Sequence, residues 1–106
     1  VGARRLANMG PGGIPGASLR MWRDYFPRAT IYGADIDPRV IFRDERIETQ
    51  IVDLEKSSSV RDLFAELPTP LDIIIDDGSH VTSHILSLFE IGFPHLADGG
   101  FFPRRC

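Results

Sequence analysis

A chain of 106 residues holds one small domain, with room for a modest core and little beyond it. Its net charge of −3 supplies no general attraction to nucleic acid or acidic membranes, and no apolar run approaches the roughly 20 residues that cross a bilayer. A lone cysteine, Cys106, cannot form an internal disulfide, so the expected compartment is the cytoplasm.

Residues 1–16 carry Gly2, Gly10, Gly12, Gly13 and Gly16 with Pro11 and Pro15, a density that breaks regular structure. They are expected to form a glycine-rich loop or a degraded first strand, with the domain proper over 17–106. Gly12, Gly13 and Gly16 leave open a second reading, a loop whose backbone N–H groups cradle a nucleotide. The spacing is not GxGxxG, and the two prolines lack the donors such a loop uses.

Over Ala17–Phe26, Leu19, Trp22, Tyr25 and Phe26 recur at helical spacing, and Pro27 ends the run. Trp22 and Phe26 are expected in the core. Thr30–Ala34 is a short strand that runs into Asp35-Ile36-Asp37-Pro38. A carboxylate offers only acceptors, so Asp35 at a strand end suits two ribose hydroxyls; equally, Asp35 or Asp37 could cap the turn at Pro38. Arg46–Val52 alternates apolar and polar residues as a half-buried strand near a sheet edge, with Asp53 at its end. Ser57–Leu67 starts in serines and carries Val60, Leu63, Phe64 and Leu67 as a helix.

The stretch Leu71 to His80, LDIIIDDGSH, is a buried parallel strand delivering Asp76, Asp77 and His80 to the carboxyl edge of a sheet, where open α/β sheets bind ligands. Gly78 permits the turn, and Ser79 can cap a helix over Val81–Leu96 whose stripe of Ile85, Leu88, Phe89, Ile91 and Phe93 faces the sheet. His84 lies four residues beyond His80, a spacing open to a metal pair or to a solvated histidine. His95 is placed in the last turn of that helix, Asp98-Gly99-Gly100 in a turn, and Phe101-Phe102 in a further strand. Strands alternating with helices predict an α/β fold, a Rossmann-like mostly parallel sheet with flanking helices.

The segments SLRMWRDYFPRATIYGADIDP, DERIETQIVD, DIIIDDGSH and FPHLADGG resemble class I S-adenosylmethionine-dependent methyltransferases. More narrowly, they resemble the metal-dependent sugar O-methyltransferases of macrolide biosynthesis, mycinamicin and macrocin type, and the cephalosporin hydroxylase-like group. The likeness covers about residues 16 to 102. It implies S-adenosylmethionine and Mg²⁺ as cofactors and a small-molecule hydroxyl, on a sugar-containing compound, as acceptor. Asp35 matches the acid on the donor's ribose and Asp53 the acid near adenine, with Gly13, Gly16, Ser18 and Asp76 completing the expected donor contacts. Asp77 matches a magnesium ligand and His80 the base that takes the hydroxyl proton. Magnesium favours hard oxygen ligands, and an imidazole titrates near neutrality, so both residue types suit the chemistry.

Two departures accompany the likeness. VGARRLANMG has no run like the family's VLEIGV first strand, and PRRC stands where the family continues to an acidic pair. The expectation is therefore a partial domain, a fragment or a frame-shifted product, with negligible turnover by these residues alone. A noncatalytic nucleotide-binding remnant is the alternative. A metal-dependent hydrolase using Asp76, Asp77, His80 and His84 fits less well, because its ligands would crowd one loop and one helical turn.

Overall fold

The computed structural model describes residues 5–9, 17–76 and 81–103. The strands are β1 (Arg5–Met9), β2 (Thr30–Asp35), β3 (Arg43–Asp44), β4 (Ile47–Ile51), β5 (Leu71–Asp76) and β6 (Leu96–Phe101). The helices are α1 (Ala17–Tyr25), α2 (Ser57–Glu66) and α3 (Thr82–Gly92), with 3₁₀ turns at Pro38–Val40 and Phe93–His95. The described strands form one sheet in the order β3-β4-β2-β1-β5-β6, parallel throughout except where β3 runs antiparallel to β4. The expected α/β architecture is the one observed.

β1 is the centre of this sheet. Leu6, Ala7, Asn8 and Met9 are all buried, pairing with β2 on one side and β5 on the other. Five residues without a β-branched side chain thus form a full central strand where the sequence suggests loop or a degraded strand. Local propensity is weak here, and two flanking ladders supply what it lacks. The Arg5 N–H donates to Asp72 Oδ2 at 3.0 Å, and its guanidinium to the Pro70 carbonyl, so the start of β1 is tied to the start of β5.

Alternation along the strands divides the core into two layers. Ala7, Met9, Tyr32, Ala34, Val52, Leu71 and Ile74 pack against Val60, Leu63, Phe64 and Leu67 of the α2 region and Leu88 of α3. Leu6, Ile31, Ile47 and Ile75 pack against Leu19, with Trp22, Phe26 and Phe42 closing over them. The indole of Trp22 donates to Oδ1 of buried Asn8 at 3.3 Å. Burial raises the pKa of the Tyr32 phenol, and the negative charge of Glu48 adds to the shift.

Arg46 fastens α1 to the sheet. It sits at φ 56, unusual for a residue with a side chain. Its guanidinium donates to the carbonyls of Phe26 at 3.0 Å, Ala29 at 2.7 Å and Arg23 at 3.1 Å, so one cation gathers three carbonyls at and just past the end of α1. Asp44 in β3 adds a second tie, accepting from Arg20 Nε and Arg23 Nη1. The Glu45 N–H first, then these arginines, lower its pKa.

Five local expectations are corrected. Tyr25 is 71% exposed, because it falls outside the stripe of Leu19, Trp22 and Phe26 that faces the sheet. Phe89 and Phe93 also face solvent, while Leu88 takes the core position on α3. The helix ends at Gly92, with Pro94 in the 3₁₀ turn that follows. There the His95 ring stacks on Phe64, centroids 5.2 Å apart, instead of serving a helix end. Asp98-Gly99-Gly100 lies within β6, where Gly99 takes φ +76 and the register with β5 slips between Leu71 and Ile73.

Candidate functional site at the carboxyl edge

Parallel pairing brings the ends of β4, β2, β1 and β5 to one edge. Met9 lies opposite Ala34 on one side and Asp76 on the other, and Asp35 lies opposite Ile51, two residues before Asp53. Asp35, Asp53 and Asp76 therefore stand at the tips of three strands on the same rim. With neighbouring strands about 4.8 Å apart, the rim from β4 to β5 spans roughly 15 Å.

Each acid is held differently. Asp35 is half-buried, and its Oδ1 accepts the Asp37 N–H at 3.1 Å; the second oxygen makes no hydrogen bond among the described residues. The Asp35 carbonyl accepts from Val52 N at 2.9 Å, which joins the ends of β2 and β4. Asp53, also half-buried, accepts the Glu55 N–H on Oδ1 at 3.0 Å and donates its own N–H to Ser59 Oγ at 2.9 Å. Asp76 is 4% exposed, and its N–H donates to the Pro103 carbonyl at 3.0 Å, extending the β5 and β6 pairing beyond Phe101.

Asp37 caps the turn at Pro38, accepting Arg39 N at 2.9 Å at the start of the 3₁₀ turn. Arg39 also grips its carboxylate side-on, Nη2 to Oδ2 at 2.7 Å. Side-chain hydrogen bonds from Arg39, then its backbone N–H, bring the Asp37 carboxyl down to about 2. The sequence gives Arg39 no role and places Ser59 only in the serine-rich start of a helix. The run Asp-Pro-Arg after a strand acid is the signal for the first; the serine cluster after Asp53 is a weaker one for the second.

Beside Asp53 a groove of about 400 Å³ opens, lined by Gln50, Ile51, Lys56, Ser59 and Asp62 among others. Ile36, directly after Asp35, is 61% exposed at the same rim. The edge thus combines carboxylate acceptors, a cavity and an apolar surface, a combination that suits a polar ligand with a flat apolar part.

Gly13, Gly16, Asp77 and His80 lie outside the described residues, as does Ser79, and Ser18 falls in the first turn of α1. His84 is half-buried in α3. Among the described residues no group of three or more His, Cys, Asp or Glu side chains is placed to hold a metal ion.

The fold is the Rossmann-like fold of S-adenosylmethionine-dependent methyltransferases. Human methyltransferase-like protein 13, solved with SAH, shares it with a TM-score of 0.61 at 20% identity, a likeness of fold alone. No family model matches the chain. It is 44% identical over 87 residues to the 8-demethyl-8-alpha-L-rhamnosyl tetracenomycin-C 2'-O-methyltransferase of Streptomyces olivaceus, covering 82% of this chain and 23% of that protein. To the demethylmacrocin O-methyltransferase of Streptomyces fradiae it is 38% identical over 103 residues, 92% of this chain and 26% of the relative. The MycE methyltransferase of the mycinamycin pathway, solved with Mg and SAH, superposes with a TM-score of 0.81 at 36% identity, over 94% of this chain and 27% of that one. The chain is therefore a homologue of the macrolide-type sugar O-methyltransferases, and spans about a quarter of the length of the curated relatives it matches.

Proposed function

We propose that this chain is the donor-binding part of an S-adenosylmethionine-dependent O-methyltransferase whose acceptor is a hydroxyl on a sugar-bearing small molecule. The observation that carries the reading is the placement of Asp35, Asp53 and Asp76 on one rim, in a chain 36–44% identical to enzymes of that activity. In this reading the Asp35 carboxylate accepts from the ribose hydroxyls, and Asp53, beside the groove, accepts from the amino edge of adenine. Ile36 offers its exposed side chain to the base. Gly13, Gly16 and Ser18 border the donor, and Asp76 lies beneath it.

The reaction moves a methyl group from the sulfonium to the acceptor oxygen; the C–S bond breaks, a C–O bond forms, and the donor leaves as the neutral thioether. His80 takes the hydroxyl proton in this proposal, and Asp77, with oxygen ligands from elsewhere, holds Mg²⁺. The metal would polarise the hydroxyl, whose ordinary pKa lies far above neutrality. The strand-end carboxylates hold the donor in line with the acceptor, the larger part of what a methyl transfer needs from its protein.

Calorimetric titration with S-adenosylhomocysteine, with and without Mg²⁺, tests the reading. Binding that Mg²⁺ strengthens is the expected result. Binding indifferent to metal favours a noncatalytic remnant, and absence of binding overturns both.

A further inference from the structure

We propose that Asp37 and Arg39 are positioning residues that fix the Asp35 carboxylate for the donor's ribose hydroxyls before the donor arrives. This rests on the donor-binding reading above. The chain of contacts is short. Asp35 Oδ1 accepts the Asp37 N–H at 3.1 Å, which sets the direction of the carboxylate and leaves Oδ2 for a ligand. That N–H is in turn held in place. The Asp37 side chain accepts Arg39 N at 2.9 Å, and the guanidinium folds back over it, Nε to Oδ1 at 3.0 Å and to Oδ2 at 3.1 Å, with Nη2 to Oδ2 at 2.7 Å. Pro38 has its φ locked by its ring, and Ile41 N donates to the Pro38 carbonyl at 3.3 Å to close the turn.

Exposure separates this role from a stabilising one. The Arg39 side chain is 87% exposed, and an ion pair in that setting adds little to global stability. A four-bond clamp two residues from a strand-end acid acts locally, on the direction in which that acid points. Asp37 keeps its charge in moderately acidic solution because Arg39 holds its carboxyl down to about 2. An acid already in its binding rotamer loses less side-chain freedom when the ligand docks, an advantage of about two- to tenfold in affinity.

The test compares S-adenosylhomocysteine affinity in Asp37→Ala and Arg39→Ala, each also in an Asp35→Ala background. Expected are losses of two- to tenfold in the single variants, unchanged urea midpoints, and partial recovery in Asp37→Asn, which keeps a capping oxygen. In the Asp35→Ala background, and with the 2′,3′-dideoxy ligand, the losses should vanish. Losses that persist there overturn the proposal. A second readout needs no ligand: the Asp37 amide resonance should shift in both Asp35→Ala and Arg39→Ala. If it does not, the clamp is wrong even where the donor binds. If it does and the unsubstituted chain takes no S-adenosylhomocysteine, the proposal falls with the donor reading instead.

Discussion

At the scale of single residues, what matters is which oxygen is already occupied. Asp35 and Asp53 each commit one carboxylate oxygen to a backbone N–H two residues on. Replacing Asp35 by Asn removes the charge from the remaining acceptor, and a hydrogen bond to a charged group contributes about 1.5–3 kcal/mol. S-adenosylhomocysteine affinity should fall by about tenfold or more, with the circular dichroism spectrum unchanged. Asp37 gives a prediction in pH. Arg39 holds its carboxyl down to about 2 instead of 3.8, so the local Arg39 grip is complete above 3.8 and is lost as pH falls through about 2. A carboxyl-carbon NMR titration should place the midpoint near 2, and Arg39→Ala should return it towards 3.8. Site residues were legible here to the extent that an acid at a strand end is a local pattern. The Arg39 grip and the three carbonyls under Arg46 were not, because each depends on where a long side chain folds back. Arg46→Met keeps the stem and loses those bonds; it should lower the urea-derived stability by about 1–3 kcal/mol.

At the scale of elements, helix periodicity identified α1 and α2 almost to the residue, because single amphipathic faces meet single sheet faces. It failed on α3, whose apolar residues surround much of the helix and so do not say which side is inward. Leu88 is buried while Phe89 and Phe93, both exposed, meet at a tilt of 34° with centroids 5.2 Å apart. The two classes of aromatic should respond differently to truncation. Phe64 is 1% exposed, sandwiched between the His95 ring and the close backbone of Gly92, where an added Cβ would stand 2.8 Å from Phe64 Cζ. Phe64→Ala should cost about 3–5 kcal/mol in denaturant titration. Phe93→Ser should stay within about 0.5 kcal/mol of the unsubstituted chain.

At the scale of the whole molecule, alternation of strands and helices specified a parallel sheet, and the position of LDIIID within it followed. The identity of the central strand did not follow, because Arg5–Met9 lacks the β-branched run that usually marks one. Its place is set by partners 25 and 67 residues further along the chain, a long-range condition that no window of sequence displays. The raised phenol pKa of Tyr32, on the neighbouring strand, makes a prediction for the assembled sheet. The unfolded chain ionises this tyrosine at about 10 while the fold keeps it neutral, so the stability it contributes is intact below 10 and is lost as pH rises through the higher folded value. Urea midpoints should decline above pH 10, and less steeply in Tyr32→Phe.

Among the described residues, β1 alone bridges two half-sheets. Were residues 5–9 deleted, β2 and β5 would each be left with a bare ladder across a gap one strand wide, which neighbouring copies could fill by lending a strand. A shortened chain of this kind should not simply melt into monomers; it should scatter light as growing assemblies, and a peptide carrying RLANM should slow that growth by occupying the vacant slot.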